Sequence, residues 1–307
     1  MYIPFRNCSV RHMDDTYKME LKKKLESGDI SRELYDEIMK RWGSSDSEGK
    51  GASEDDTGNR ESRGRESETR VFGSSRMSEV SSDSFDVAGS ARVSGNVYVG
   101  EMSVAGSIRV EGEVKVEGDL DSSGSLVAEK SITAGNVDSS GSLRAESIRA
   151  RMLDSSGVVR VKGEIELDSM DVSGSCEAEK ITSKAIESSG VITAKEIRST
   201  SIDISGGITA DTVECDEFTM SLDGYTGRNR IGTLKCREIS IEGGRRFRKD
   251  IIEVEEITCE TAYLESVRAK KISGGEVTIG DGCEVDYVEA RVIKTSGDAV
   301  IRERKIL

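Results

Sequence analysis

Aromatic side chains are scarce in this chain: 5 Phe, 7 Tyr and 1 Trp make up 4% of its 307 residues. A wide globular core cannot be filled from that stock, whereas a narrow one of Val, Ile, Leu and Ala can. Proline is nearly absent, with Pro4 the single copy, so the turns fall to Gly, Ser and Asp. Cations are outnumbered: 58 Asp and Glu against 44 Lys and Arg give a formal charge of −14. That balance argues against nucleic acid, where Lys and Arg must replace counterions. No run approaches the roughly 18 apolar residues of a membrane-crossing helix, and residues 1–10 lack the charged-then-apolar order of a signal peptide. The six cysteines (Cys8, Cys176, Cys215, Cys236, Cys259, Cys283) form no CxxC pair. The last five read as reduced, inward-facing small hydrophobes, and a cytoplasmic location follows as the default.

What is present divides into five stretches. A tail over residues 1–13 opens with Met1-Tyr2-Ile3-Pro4-Phe5, apolar enough for a weak peripheral membrane contact. Over residues 14–42, Tyr17, Leu21 and Leu25 recur every four residues, as do Leu34, Ile38 and Trp42. This predicts a helical hairpin broken at Ser27-Gly28-Asp29, with Ser31 as an N-cap. The segment LKKKLESGDISRELYDEIMKRW resembles the short helical hairpins called SHOCT modules. A hairpin this small needs something to dock on, which makes it a candidate protein-partner element. Residues 43–83 are mostly Ser, Gly, Asp, Glu, Lys and Arg and read as a flexible linker.

From residue 84 to about 300 the chain is periodic. Glycine falls at 89, 106, 124, 141, 157, 174, 190, 206 and 224, at spacings of 16 to 18. Four residues before each stands an apolar side chain, from Phe85 and Met102 to Ile202 and Met220. Two and four residues after come pairs such as Ala91 and Val93, Ile108 and Val110, Leu126 and Ala128. Spacing by two is strand alternation with both side chains on one face. A second strand opens with Val97, Val114, Ile132, Ile148, Ile165, Ile181, Ile197 and Val213. Three short strands in about 17 residues describe one turn of a three-sided parallel β-helix, an all-β solenoid. Past Met220 the period loosens, and residues 223–230 and 243–250 read as loops inserted at corners. Roughly 12–13 turns would make a rod about 60 Å long. Residues 301–307 read as a C-terminal cap or tail.

This glycine-spaced, three-strand repeat resembles the bactofilins, polymer-forming cytoskeletal proteins, over about residues 84–300. The closing stretch Gly274–Leu307 is the most similar part. The resemblance implies a right-handed β-helix that polymerises end to end without nucleotide, a structural scaffold with itself as main partner and no cofactor. Some members reach membranes through a short N-terminal segment. Independently of that resemblance, the ends of a β-helix expose unpaired backbone and a cross-section of apolar core. Phe85 at the first turn, and Ile301, Ile306 and Leu307 at the last, are the candidate polymer interface.

Two side-chain groups invite chemistry. Three residues before six successive glycines stand Asp121, Asp138, Asp154, Asp171, Glu187 and Asp203. Stacked, they make a like-charge ladder, read as a solvated edge that keeps rods apart or as a line of weak divalent-cation sites. The cations Arg228, Arg230, Arg245, Arg246, Arg248 and Lys249, with Phe247, form a candidate patch for an acidic partner or anionic lipid. A catalytic reading finds little to use. Hexapeptide-type acyltransferases need a histidine base, and His12 lies outside the repeat. Asp216 and Glu217 near Arg237 are a carboxylate grouping expected by chance among 58 acids. The expectation is a non-enzymatic scaffold, with a monomeric binding module and a β-helix carbohydrate-active or acyltransferase-like enzyme as alternatives.

Overall fold

A computed structural model describes residues 67–222, 229–244 and 251–307. The predicted hairpin at 14–42, with Tyr17, Leu21, Leu25, Leu34, Ile38 and Trp42, lies outside the described residues, as do residues 1–5. Described strands run from β1 (Glu68–Val71), β2 (Ser74–Met77) and β3 (Val80–Val87) to β26 (Glu284–Thr295) and β27 (Val300–Ile306). All the pairings are parallel, each strand lying on one about a turn later: Phe85 faces Met102, and Met102 faces Leu120. The result is a parallel β-solenoid of about 14 turns. At ~4.8 Å per turn it is about 60 Å long.

Each turn has three faces, here called A, B and C in chain order. In the second turn they are centred on Phe85–Val87, Ala91–Val93 and Val97–Val99, whose six alternate side chains point inward and are buried. Val, Ile and Leu dominate these positions because branched side chains pack well on a pleated surface. Each fully buried one contributes roughly 1.5–3 kcal/mol of burial free energy. One turn cannot collect this alone, since its inward residues find their partners in the turns above and below.

The glycines serve the A–B corner by close approach rather than by special dihedrals. From Gly106 to Gly206 a Cβ would stand under 3.0 Å from the carbonyl oxygen of the glycine one turn below. That same carbonyl accepts the next residue's amide, as Gly89 O does from Ser107 N–H at 2.8 Å. Positive φ among described residues occurs only later, at Ser266, Gly282 and Gly297.

The coil starts earlier and ends later than the periodicity suggested. Residues 68–82, read as linker, form a complete first turn in which Val71 and Val80 are buried. Its signal is faint because Thr69, Ser75 and Ser82 occupy the inward positions next to Phe85, Ala91 and Val99. A terminal turn has only one apolar neighbour, so polar residues cost less there. Phe85 is therefore fully buried in the second turn and does not belong to a rod end, correcting its assignment to the interface. At the other end, residues 300–306 are strand β27, paired in register with β26.

Both loosened corners leave the stacking intact. β22 (Gly207–Ser221), β23 (Asn229–Glu242) and β24 (Ile252–Leu264) stay in register across them, with Ala210 on Ile231 and Ile231 on Val254. Asn229 re-enters the coil at an inward, buried position, where its Oδ1 accepts the Ile208 amide at 2.9 Å. A side chain thus satisfies a backbone donor at the point where the loop interrupts the ladder.

Cysteine pairing departs from the expectation. Cys176 and Cys283 are buried free thiols and Cys259 is half-buried, all inward as read. Burial pushes the Cys176 thiol up to about 12 and that of Cys259 up to about 11. Cys215 and Cys236, however, face each other in adjacent turns, 4.7 Å apart at Cα, and form a disulfide. The inserted corner stretches their separation to 21 residues, which hid the pairing. A structural disulfide belongs to oxidising surroundings, so the cytoplasmic default loses the free-thiol argument it rested on.

Candidate interaction surfaces

Outward positions alternate with the buried ones, so each face carries straight columns of exposed side chains about 4.8 Å apart. The acidic column lies where the spacing placed it, on face A of turns 4–9. Asp121 is in register with Asp138, Asp138 with Asp154, Asp154 with Asp171, Asp171 with Glu187, and Glu187 with Asp203. All six are exposed, and among the described residues none takes part in an ion pair. Burial, then the Asp138 and Asp119 carboxylates, holds the Asp121 carboxyl above its usual range. Its neighbouring outward column in turns 5–9 is uncharged: Asn136, Met152, Ser169, Ala185 and Ser201. Among the described residues no three His, Cys, Asp or Glu converge on a metal position.

Face B carries an opposite column that sequence reading missed. Arg76, Arg92, Arg109, Val127, Arg144 and Arg160 are in register over turns 1–6. The signal was available, since from Arg92 these residues sit three after the corner glycines. Attention to the inward positions, two and four after, stepped over it. Arg92, Arg109 and Arg160 reach Glu111, Glu129 and Glu177, while Arg76 and Arg144 make no ion pair among the described residues. Serines flank this column as well: Ser74, Ser90, Ser107, Ser125 and Ser142.

Elsewhere, stacked charges alternate in sign. Arg149 meets Glu166 at 2.5 Å, Lys180 meets Glu164 at 2.9 Å, and Lys184 meets Asp168 at 2.7 Å. Arg268 sits between Glu253 and Glu284, at 3.3 and 3.1 Å. Of the predicted cationic patch, Arg230 is described, and it pairs with Glu255 at 3.1 Å one turn on. Arg228, Arg245, Arg246, Phe247, Arg248 and Lys249 lie outside the described residues. Arg237 contacts Glu217 at 3.5 Å and also Glu238, all exposed.

The last turn presents an edge. β27 pairs with β26 along one side, and Val300, Ile306 and Leu307 are 55%, 71% and 65% exposed. Ile301 packs partly against the core. Arg304 takes the inward position above Val288, ending a column of Val, Ile and Leu that runs through the whole rod.

These features define a class: a parallel β-solenoid whose chemistry lies in columns on its faces and in its terminal edges. No protein family, curated protein or solved structure matches the chain.

Proposed function

We propose that this chain is a non-enzymatic scaffold of the bactofilin kind, whose rods join end to end into nucleotide-independent polymers. The observation that carries the reading is the exposed edge of β27 with Val300, Ile306 and Leu307. An uncovered strand edge with apolar side chains recruits another strand. Chain order supports the fit: the described coil begins on face A at β1 and finishes on face C at β27. A copy laid on the last turn therefore continues the A, B, C sequence without a gap.

Electron microscopy of the full chain, with Ile301 and Ile306 replaced by Asp, tests this. Wild type should form filaments and the folded variant single rods of about 60 Å. Filaments from the variant, or single rods from wild type, would overturn the proposal.

Arg304 and the inward Thr69, Ser75 and Ser82 favour a second reading, a monomeric binding module. Inward charges and polar groups at terminal strands discourage edge pairing. On this reading Arg304→Ile should create filaments that wild type lacks. In both readings the hairpin expected from the sequence over 14–42 would serve protein docking, and residues 1–5 peripheral membrane contact.

A further inference from the structure

We propose that copies of this chain also associate side by side, the acidic column on face A of one rod seated on the arginine column on face B of another. The partner is a second copy of the chain, and charge complementarity selects it. Two like-charge columns of opposite sign, each spanning six turns, stand on adjacent faces of one molecule.

Like charges stacked at strand spacing repel, and this fold has a ready remedy, alternating Lys or Arg with Glu from turn to turn. It uses that remedy at Arg149 and Glu166, at Lys180 and Glu164, and around Arg268. The acidic column goes without it, as do Arg76 and Arg144 of the arginine column, and the two columns are complementary to each other. Both ride on the same coil, so their rise per turn is the same. Rods matched at one turn are matched at the next, and a parallel neighbour aligns the columns at an offset of three turns, about 14 Å.

Steric access is good on both sides. Face A offers Ser169, Ala185 and Ser201 beside the acids, and face B offers serines beside the arginines. The arginine side chains already touching Glu111, Glu129 and Glu177 remain more than half exposed. A guanidinium has five N–H donors, enough for a second carboxylate. Each contact by itself is worth under about 1 kcal/mol, but contacts fixed on two rods act together. Because face A meets face B, each copy keeps one of each free, and the repeated three-turn offset makes the sideways association an open, staggered array.

This contact is independent of the end contact, and the test separates them by using full-length chain carrying Ile306→Asp throughout. One variant adds Asp138→Lys, Asp154→Lys and Asp171→Lys. Another adds Arg109→Glu, Arg144→Glu and Arg160→Glu. Sedimentation velocity should show the parent associated at about 50 mM salt and as single rods at about 500 mM, where charges are screened. Each triple variant should stay single at both, with self-association at least tenfold weaker. Their equimolar mixture should associate again, since each supplies the face the other lacks. A triple variant that self-associates like the parent, a mixture that stays single, or a parent single at low salt would overturn the proposal. Should a triple variant not fold, Asp154→Asn and Arg144→Gln must each weaken association and flatten its salt dependence, and no change in either would overturn it equally.

Discussion

Between Glu68 and Ile204 the A–B corner is closed by a glycine in turn after turn, whereas beyond Met220 the same corner takes up extra residues or holds residues with positive φ, Ser266, Gly282 and Gly297. The strands differ in step. They run three to eight residues in the first region, while β22, β23 and β24 reach 15, 14 and 13, passing both the B–C and the C–A corners without a break. Charges differ too, with like stacked on like in the face A acids and face B arginines of the first region, and Arg230, Glu253, Arg268 and Glu284 alternating down face B in the second. A corner made of touching backbones admits no side chain and no extra residue. The second region accepts extra residues at this corner and adds a disulfide, and the first does neither there and keeps its register by glycine.

The largest effect that tests this contrast is a single methyl group. Gly157→Ala or Gly174→Ala sets a Cβ against backbone oxygen, which no side-chain rearrangement relieves. The cost should be about 3 kcal/mol in urea unfolding, with a lower m-value if the two regions uncouple. Gly73→Ala, where nothing lies within 4 Å, should change stability by less than about 0.5 kcal/mol. Equal effects at the two sites would show that the glycines act through chain flexibility instead.

The disulfide comes next. Closing the 21-residue separation between Cys215 and Cys236 should stabilise by about 3 kcal/mol on a chain-entropy basis. Because solenoid turns interact mainly with their neighbours, Cys215→Ser with Cys236→Ser should raise amide hydrogen exchange around β22, β23 and β24. Protection from Ile108 to Val161 should stay unchanged. Uniform loss along the rod would mean that the two regions unfold as one unit.

Period and burial were legible in the sequence because they are local. Two residues apart means one face, and 16 to 18 means one turn, so the inward residues from Met102 to Met220 fell into place with the acidic column. What escaped depends on which residues meet across turns. Cys215 and Cys236 cannot be paired without knowing how many residues the inserted corner removes from the coil. Residues 68–82 lack the apolar signal because an end turn has half the packing of an inner one. Arg304 looks like a tail residue until β27 is laid on β26. The arginine column, in contrast, was present at a fixed offset from the glycines and needed only the outward positions to be read.

The smallest effect has a sign that distinguishes the regions. Burial and neighbouring carboxylates raise Asp121 from its ordinary 3.8, so the folded chain holds that proton more tightly than the unfolded one. Stability is therefore gained as pH falls through the raised value toward 3.8. Glu255 is lowered from 4.5 by hydrogen bonds from Lys270 and Arg230. Its contribution is present above 4.5 and is lost as pH falls through the lowered value. Asp121→Asn should thus stabilise slightly at pH 7, by no more than about 0.5 kcal/mol for so exposed a group. Glu255→Gln should destabilise slightly at pH 7, and this difference should fade in acid below 4.5. Parallel urea titrations at pH 7 and pH 3.5 measure both, with Ile306→Asp as background to block end-to-end joining. The same sign for the two substitutions at pH 7 would mean that the face A column is compensated within the chain after all. Its repulsion would then no longer call for a partner's arginines.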